Sequence, residues 1–113
     1  GNIQIGQRVT FGKTVNDPYF GGLILNNQNA TVTFDDVSFH NGQLINYCQA
    51  INIVNSDVSN TYFGSHRGNV TLDNSTFDHA WTYFTNTGSL QPISTLTITD
   101  CIFSNGNYAG INM

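Results

Sequence analysis

VTFDDVSFHN, residues 32–41, alternates apolar and polar positions, breaks at two aspartates, resumes the alternation and ends on an asparagine. Period-two alternation of this kind marks a β-strand with one face turned to a core. The break at Asp35 and Asp36 has two readings. It is either a carboxylate pair for acid–base chemistry or a backbone corner between two short strands.

The rest of the chain decides between them. INIVNSDVSN from 51, VTLDNSTFDH from 70 and LTITDCIFSN from 96 superpose on the opening stretch without gaps, and VTFGKTVN from 9 is a degenerate fifth copy. Successive starts are 23, 19, 19 and 26 residues apart. The first column holds Val9, Val32, Ile51, Val70 and Leu96, and two places on stand Phe11, Phe34, Ile53, Leu72 and Ile98. The fifth place is Asp36, Asn55, Asn74 and Asp100; the eighth is Phe39, Val58, Phe77 and Phe103; the tenth is Asn41, Asn60, His79 and Asn105. Asp36 is thereby one member of a polar corner column, and Asp35 is an outward acid in a column with Val54, Asp73 and Thr99.

A third strand follows in each repeat: YFGGLIL (19–25), LINYC (44–48), TYFGS (61–65), AWTYFT (80–85) and YAGINM (108–113). The segments are β-branched and Asn-rich and carry no sustained i, i+3, i+4 stripe, which disfavours helix. An antiparallel sandwich does not need strands that match column by column. A parallel solenoid does, because each residue stacks on its equivalent one coil below, about 4.8 Å away. The expected fold is therefore all-β: a parallel solenoid of about five coils of 19–26 residues, three short strands per coil, in one domain over 1–113.

Two alternating apolar residues, an Asn or Asp corner, an apolar residue and a second Asn resemble the coil repeat of right-handed parallel β-helices. That group includes pectate-lyase-like enzymes, phage tailspikes and bacterial surface passengers. The resemblance covers about residues 9–113 and implies that Asp36, Asn55, Asn74, Asp100, Asn41, Asn60 and Asn105 form side-chain ladders along the axis. The FxxN motif of the chlamydial membrane-protein variant is not reproduced by FHNG or FSNG. Of the polygalacturonase-like motifs, only the paired aspartate has a counterpart, in Asp35–Asp36.

Composition narrows the function classes. Lys13, Arg8 and Arg67 are the only permanent cations against seven aspartates, for a net charge of −4. A nucleic-acid surface needs several clustered cations, and an anionic membrane surface needs the same. No apolar run approaches the roughly 18 residues of a membrane span. The chain opens on Gly1 without a signal-peptide pattern and reads as processed or excised. Its surface, rich in Asn, Thr and Gly and poor in lysine, matches an extracellular, cell-surface or virion-surface protein. Cys48 and Cys101 have no metal-binding spacing. They lie two coils, about 10 Å, apart, beyond disulfide reach, so two free thiols are expected, with Cys101 buried.

Asp35, Asp73, Asp78, His66 and Arg67 are the residues to test for lyase or hydrolase chemistry. Carboxylate pairs of that kind converge across about 5–9.5 Å. Adjacent Asp35 and Asp36 would face opposite ways on an extended strand, and Asp35 and Asp73 are two coils apart. His66 and Arg67 occupy a Gly-flanked turn, GSHRGN, where polar side chains ordinarily meet solvent. No cofactor is expected; calcium enters only under the lyase reading. Trp81 and Tyr83 share a strand face opposite Phe84, and with Tyr62 they form a candidate glycan-binding strip, aromatic faces stacking on sugar rings. The competing reading buries these rings. The segment TNTGSLQPIS (85–94) enlarges one coil as a surface loop. Sequons at Asn29, Asn69 and Asn74 read as chance in so Asn- and Thr-rich a chain.

The ends complete the expectation. Five coils stand about 24 Å tall, and open solenoid edges normally carry a cap. The chain therefore reads as part of a longer solenoid, or as one that meets copies or neighbours through its ends. The functional expectation is a structural or recognition module binding glycans on its lateral face. The alternatives are a fragment of a polysaccharide lyase or hydrolase, and a subunit of an end-stacked fibre.

Overall fold

The computed structural model describes residues 2–11, 22–85, 95–106 and 110–112. Its strands in chain order are β1 (Asn2–Phe11), β2 (Gly22–Leu25), β3 (Thr31–Asn46), β4 (Ala50–Val54), β5 (Asp57–Ser65), β6 (Asn69–Asp73), β7 (Thr76–Asp78), β8 (Trp81–Thr85), β9 (Leu96–Thr99), β10 (Ile102–Ser104) and β11 (Gly110–Asn112). All pairings among them are parallel, as coil stacking requires. The chain is a β-solenoid. About three turns are described, beginning at 31, 50 and 69, with partial coils at either end; the expectation of five counts those partial coils.

Three faces run along the axis. On the first, β1, the start of β3, β4, β6 and β9 are consecutive rungs, so that Val32, Ile51, Val70 and Leu96 share one column. On the second, Phe39, Val58, Phe77 and Phe103 stack through β3, β5, β7 and β10. The third is built by β2, the end of β3, the end of β5, β8 and β11.

The corners explain how a period-two strand can wrap around a core. Along β3 the buried residues are Val32, Phe34, Val37, Phe39, Gly42, Leu44 and Asn46. The step is two within each face and three across each corner. Asp36, Asn41, Asn55, Asn60, Asn74, His79, Asp100 and Asn105, the fifth and tenth columns, all have φ between 48° and 64°. One left-handed residue turns the chain and resets the alternation, so the outward residue before it and the inward residue after it are two places apart rather than one. An ordinary L-residue there costs about 1–2 kcal/mol, whereas Asn and Asp are tolerated because their short side chains bond locally. This corrects the expectation for Asp35 and Asp36: both stand off the core, since Asp36 is the inserted step.

Side chains tie the corners together along the axis. Asn74 Nδ2 donates to Asn55 Oδ1 (2.8 Å), and Asn55 Nδ2 donates to Asp35 Oδ1 (2.9 Å). The chain of bonds thus ends on Asp35, which has a partner after all. Just past the corner, Ser56 Oγ accepts from Val37 N (3.1 Å) and donates to Val54 O (2.7 Å), and Ser75 Oγ does the same for Ser56 N and Asp73 O. These hydroxyls satisfy backbone groups that the bend removes from the strand ladder. Replacing Asn55 with Ala is expected to cost about 1–2 kcal/mol, and Asn55→Gly about 1 kcal/mol less, because glycine keeps the left-handed backbone and loses only the bonds. Urea denaturation of the two variants checks this; equal losses would remove the backbone contribution.

The core is a stack of Val32, Phe34, Phe39, Leu44, Ile51, Ile53, Val58, Phe63, Leu72 and Phe77, each fully buried. Each such side chain stabilises the fold by roughly 1.5–3 kcal/mol. Phe34 meets Phe39 edge-on at 5.1 Å, while Phe77 and Phe103 stack at 4.7 Å and 8°.

The first coil departs from the sequence alignment. Ile3 and Ile5, not Val9 and Phe11, are in register with Val32 and Phe34. Val9 pairs with Val37 and Phe11 with Phe39, with a register shift between Gly6 and Val9. The cause lies in the corner. The first coil offers Gln7 and Arg8 where later coils have a single Asn or Asp, so its turn takes one residue more. Both cysteines are free thiols; Cys48 is buried, but Cys101 is partly exposed, correcting its expected burial. Its column reaches the fifth rung, where Ile98 and Phe103 of the inward columns are also exposed.

Candidate functional site: an aromatic cleft on the third face

The third face carries a cluster of aromatic rings on its exterior. Strand alternation in β8 buries Thr82 and Phe84 and turns Trp81 and Tyr83 outward. Trp81 is 50% exposed and stands one rung above Tyr62, the two rings meeting at an angle of 65° with centroids 6.1 Å apart. Tyr47 and His66 stack at 5.1 Å, and His66 leans on Tyr83 at 5.8 Å. Four tyrosine and tryptophan rings and one imidazole therefore cover the outside of coils two to four.

Gly64 makes this packing possible. A Cβ there would lie 2.8 Å from Tyr62 Cε1, 2.9 Å from the Tyr62 hydroxyl and 3.1 Å from His66 Nε2. The two rings occupy the space that any other residue would fill. Burial raises the Tyr62 phenol pKa, helped by Tyr83 and Tyr47, and burial lowers that of His66. Gly64→Ala is expected to leave stability within about 0.5 kcal/mol, since flexible side-chain ends can give way and Ala suits an ordered strand at least as well as Gly. Tyr62 must then swing aside, which Tyr ring resonances in an NMR spectrum will report; unshifted resonances would contradict the packing.

A cleft of about 280 Å³ opens where the second corner meets this face, lined by Asn60, Thr61, Tyr62, His79, Ala80, Trp81 and Asn105. The left-handed corner residues Asn60, His79 and Asn105 form one wall and the aromatic pair the other. Behind the wall, Asp78 Oδ1 accepts from Asn105 Nδ2 (3.0 Å), Ser104 Oγ (3.0 Å) and His79 Nδ1 (3.2 Å). Those bonds hold its carboxyl below the usual range, Asn105 contributing most. The site thus joins apolar ring faces to amide and imidazole groups that can hydrogen-bond a hydroxylated ligand.

The five residues considered for catalysis are not brought together. Asp35 and Asp73 share an outward column on the first face with Val54 between them. Asp78 lies on the second face, between Ser59 and Ser104. His66 and Arg67 sit at the third corner, where the His66 ring is packed against Tyr47 and Tyr83 rather than facing solvent. Arg67 also departs from the solvent-facing expectation: its Nε and Nη2 are buried with no hydrogen-bond partner. Among the described residues, no group of three or more His, Cys or Asp side chains could hold a metal ion.

Two features are not evident from the sequence. The third corner is organised by buried Asn46, which donates to Ser65 Oγ (3.1 Å) and accepts from Cys48 N (3.0 Å). Asn60, His79 and Asn105 read in the sequence only as corners, yet they also line the cleft. The signal for it is a corner residue two places before an aromatic, NTY at 60–62 and HAW at 79–81. Tyr19, Phe20, Tyr108 and residues 86–94 of the expected loop lie outside the described residues.

Compared with known proteins, the chain matches no family model and no curated protein. Its function is therefore to be sought in the chemistry of the cleft.

Proposed function

We propose that this solenoid is a recognition module that holds a glycan on its third face, with Trp81 and Tyr62 as the platform. The setting that its composition favours is extracellular, on a cell surface or on a virion. The half-exposed Trp81 beside corner amides is the observation that carries this reading. A large ring left in water is otherwise an unfavourable exposure, and ring faces flanked by hydrogen-bonding groups match the two sides of a sugar. The resemblance to right-handed β-helices of tailspikes and surface passengers points the same way.

Trp81→Ala is expected to weaken binding at least about tenfold, or 1.4 kcal/mol, with an unchanged thermal midpoint. A glycan array followed by titration of the strongest hit measures it; equal signal from the variant would dismiss the platform.

A second reading rests on the fifth rung. Ile98 and Phe103 are 43% and 41% exposed, although Leu72 and Phe77 beneath them are buried. We propose that this end is covered by the first rung of another copy, giving head-to-tail stacking of the kind that builds fibres. Light scattering and negative-stain imaging decide it, and a monomer at high concentration would end this reading.

A further inference from the structure

We infer that the cleft selects uncharged or N-acetylated sugars and rejects uronic acid and sulfated ones. This rests on the glycan-recognition reading and concerns the same site. Among the described residues, no lysine or arginine lines the cleft. Arg67, the one Lys or Arg side chain whose surroundings are described, belongs to the third corner. The nearest formal charge is the Asp78 carboxylate, bonded to both Asn105 and His79, which themselves form the cleft wall.

An acidic sugar on the Trp81–Tyr62 platform would therefore bring a second negative charge close to Asp78, with no lysine or arginine among the described lining residues to offset it. Seven aspartates against three cations leave the field of the whole chain negative as well. Neutral hydroxyls and acetamido groups meet no such opposition. Amide-lined walls can donate to their oxygens, and the methyl of an acetamido group can lie against a ring. Charge of one sign lining a site acts chiefly by excluding the wrong ligand.

Trp81 is the only tryptophan in the chain, so its emission reports directly on the cleft. The intact chain is titrated near pH 7 with trimers of N-acetylglucosamine, glucose and galacturonic acid. At least one neutral trimer should bind with at least about tenfold higher affinity than the galacturonate trimer, the scale of one close like-charge contact. The gap should close in Asp78→Asn, which keeps the Oδ1 acceptor, and should narrow as salt screens the repulsion. If Asp78→Asn misfolds, the salt series on the native chain tests the same repulsion. Equal or tighter binding of galacturonate, or a gap indifferent to both Asp78→Asn and salt, overturns the inference alone. Silence from all three trimers, with no shift in an NMR titration either, overturns the glycan reading and this inference with it.

Discussion

Phe77→Ala is expected to remove about 3–5 kcal/mol of stability, a large part of the roughly 5–15 kcal/mol that holds a domain of this size together. Phe77 is 1% exposed and stands between two other rings, with Phe103 at 4.7 Å and Phe63 at 6.4 Å, both nearly parallel to it. Its truncation would leave a hole in the second face that neighbouring rungs cannot close, because they are pinned by backbone pairing above and below. Urea denaturation followed by circular dichroism measures the loss. Phe77→Leu, which keeps most of the volume, should cost less than about 2 kcal/mol. A loss below about 1 kcal/mol for the alanine variant would show that the ring stack is loosely packed.

The second large effect is expected from a glycine. Gly68 has φ +80°, and a Cβ there would fall 2.3 Å from both Cys48 O and Gln49 O. Both atoms are backbone of the preceding coil. Unlike the ring ends around Gly64, they cannot swing away. The adjacent bond from Asn69 N to Gln49 O, 2.9 Å, fixes the spacing between these two coils at the same corner. Gly68→Ala therefore combines a left-handed backbone with overpacking, for about 3 kcal/mol or more. The pair of alanine substitutions makes a sharp contrast. Gly68→Ala should lower the urea midpoint strongly, whereas Gly64→Ala should act on the aromatic face. A stable Gly68→Ala variant would mean that the third corner can open.

The solenoid is legible in the sequence because coil stacking forces chemically similar residues into the same column, and three copies lie 19 residues apart. The Asn and Asp corners are legible for a related reason: few residues other than glycine occupy left-handed backbone at low cost. The first coil is not, because Gln7 and Arg8 supply no such residue, and the extra step hides Ile3 and Ile5 from an alignment anchored on Val9 and Phe11. Asp35 looks unpartnered in the sequence because its partner, Asn55, belongs to the next corner rather than to its own column. The aromatic face is visible as composition, but its form is not. Whether a ring lies flat over a rung depends on the absence of a Cβ at Gly64, and nothing in the letter G distinguishes that glycine from one in a turn. Arg67 is equally opaque, since a Gly-flanked position in a turn gives no hint that its Nε and Nη2 are buried.

The spacing of the rungs has a consequence for how such a chain can change in length. From the second coil to the fourth, each residue sits on the one 19 places away, so Val32, Ile51 and Val70 are interchangeable floors of one building. Excising residues 50–68 would set Val70 on Val32, Leu72 on Phe34 and Phe77 on Phe39, so these core columns would still meet their own kind, although outside them Asp73 would stand directly on Asp35. Losing a single residue from a strand would instead turn the inward face outward as far as the next corner. Growth and shrinkage by whole coils thus leave the core columns in register, while the outer surface is rewritten: the same excision would remove Tyr62 and set Trp81 on Gln43.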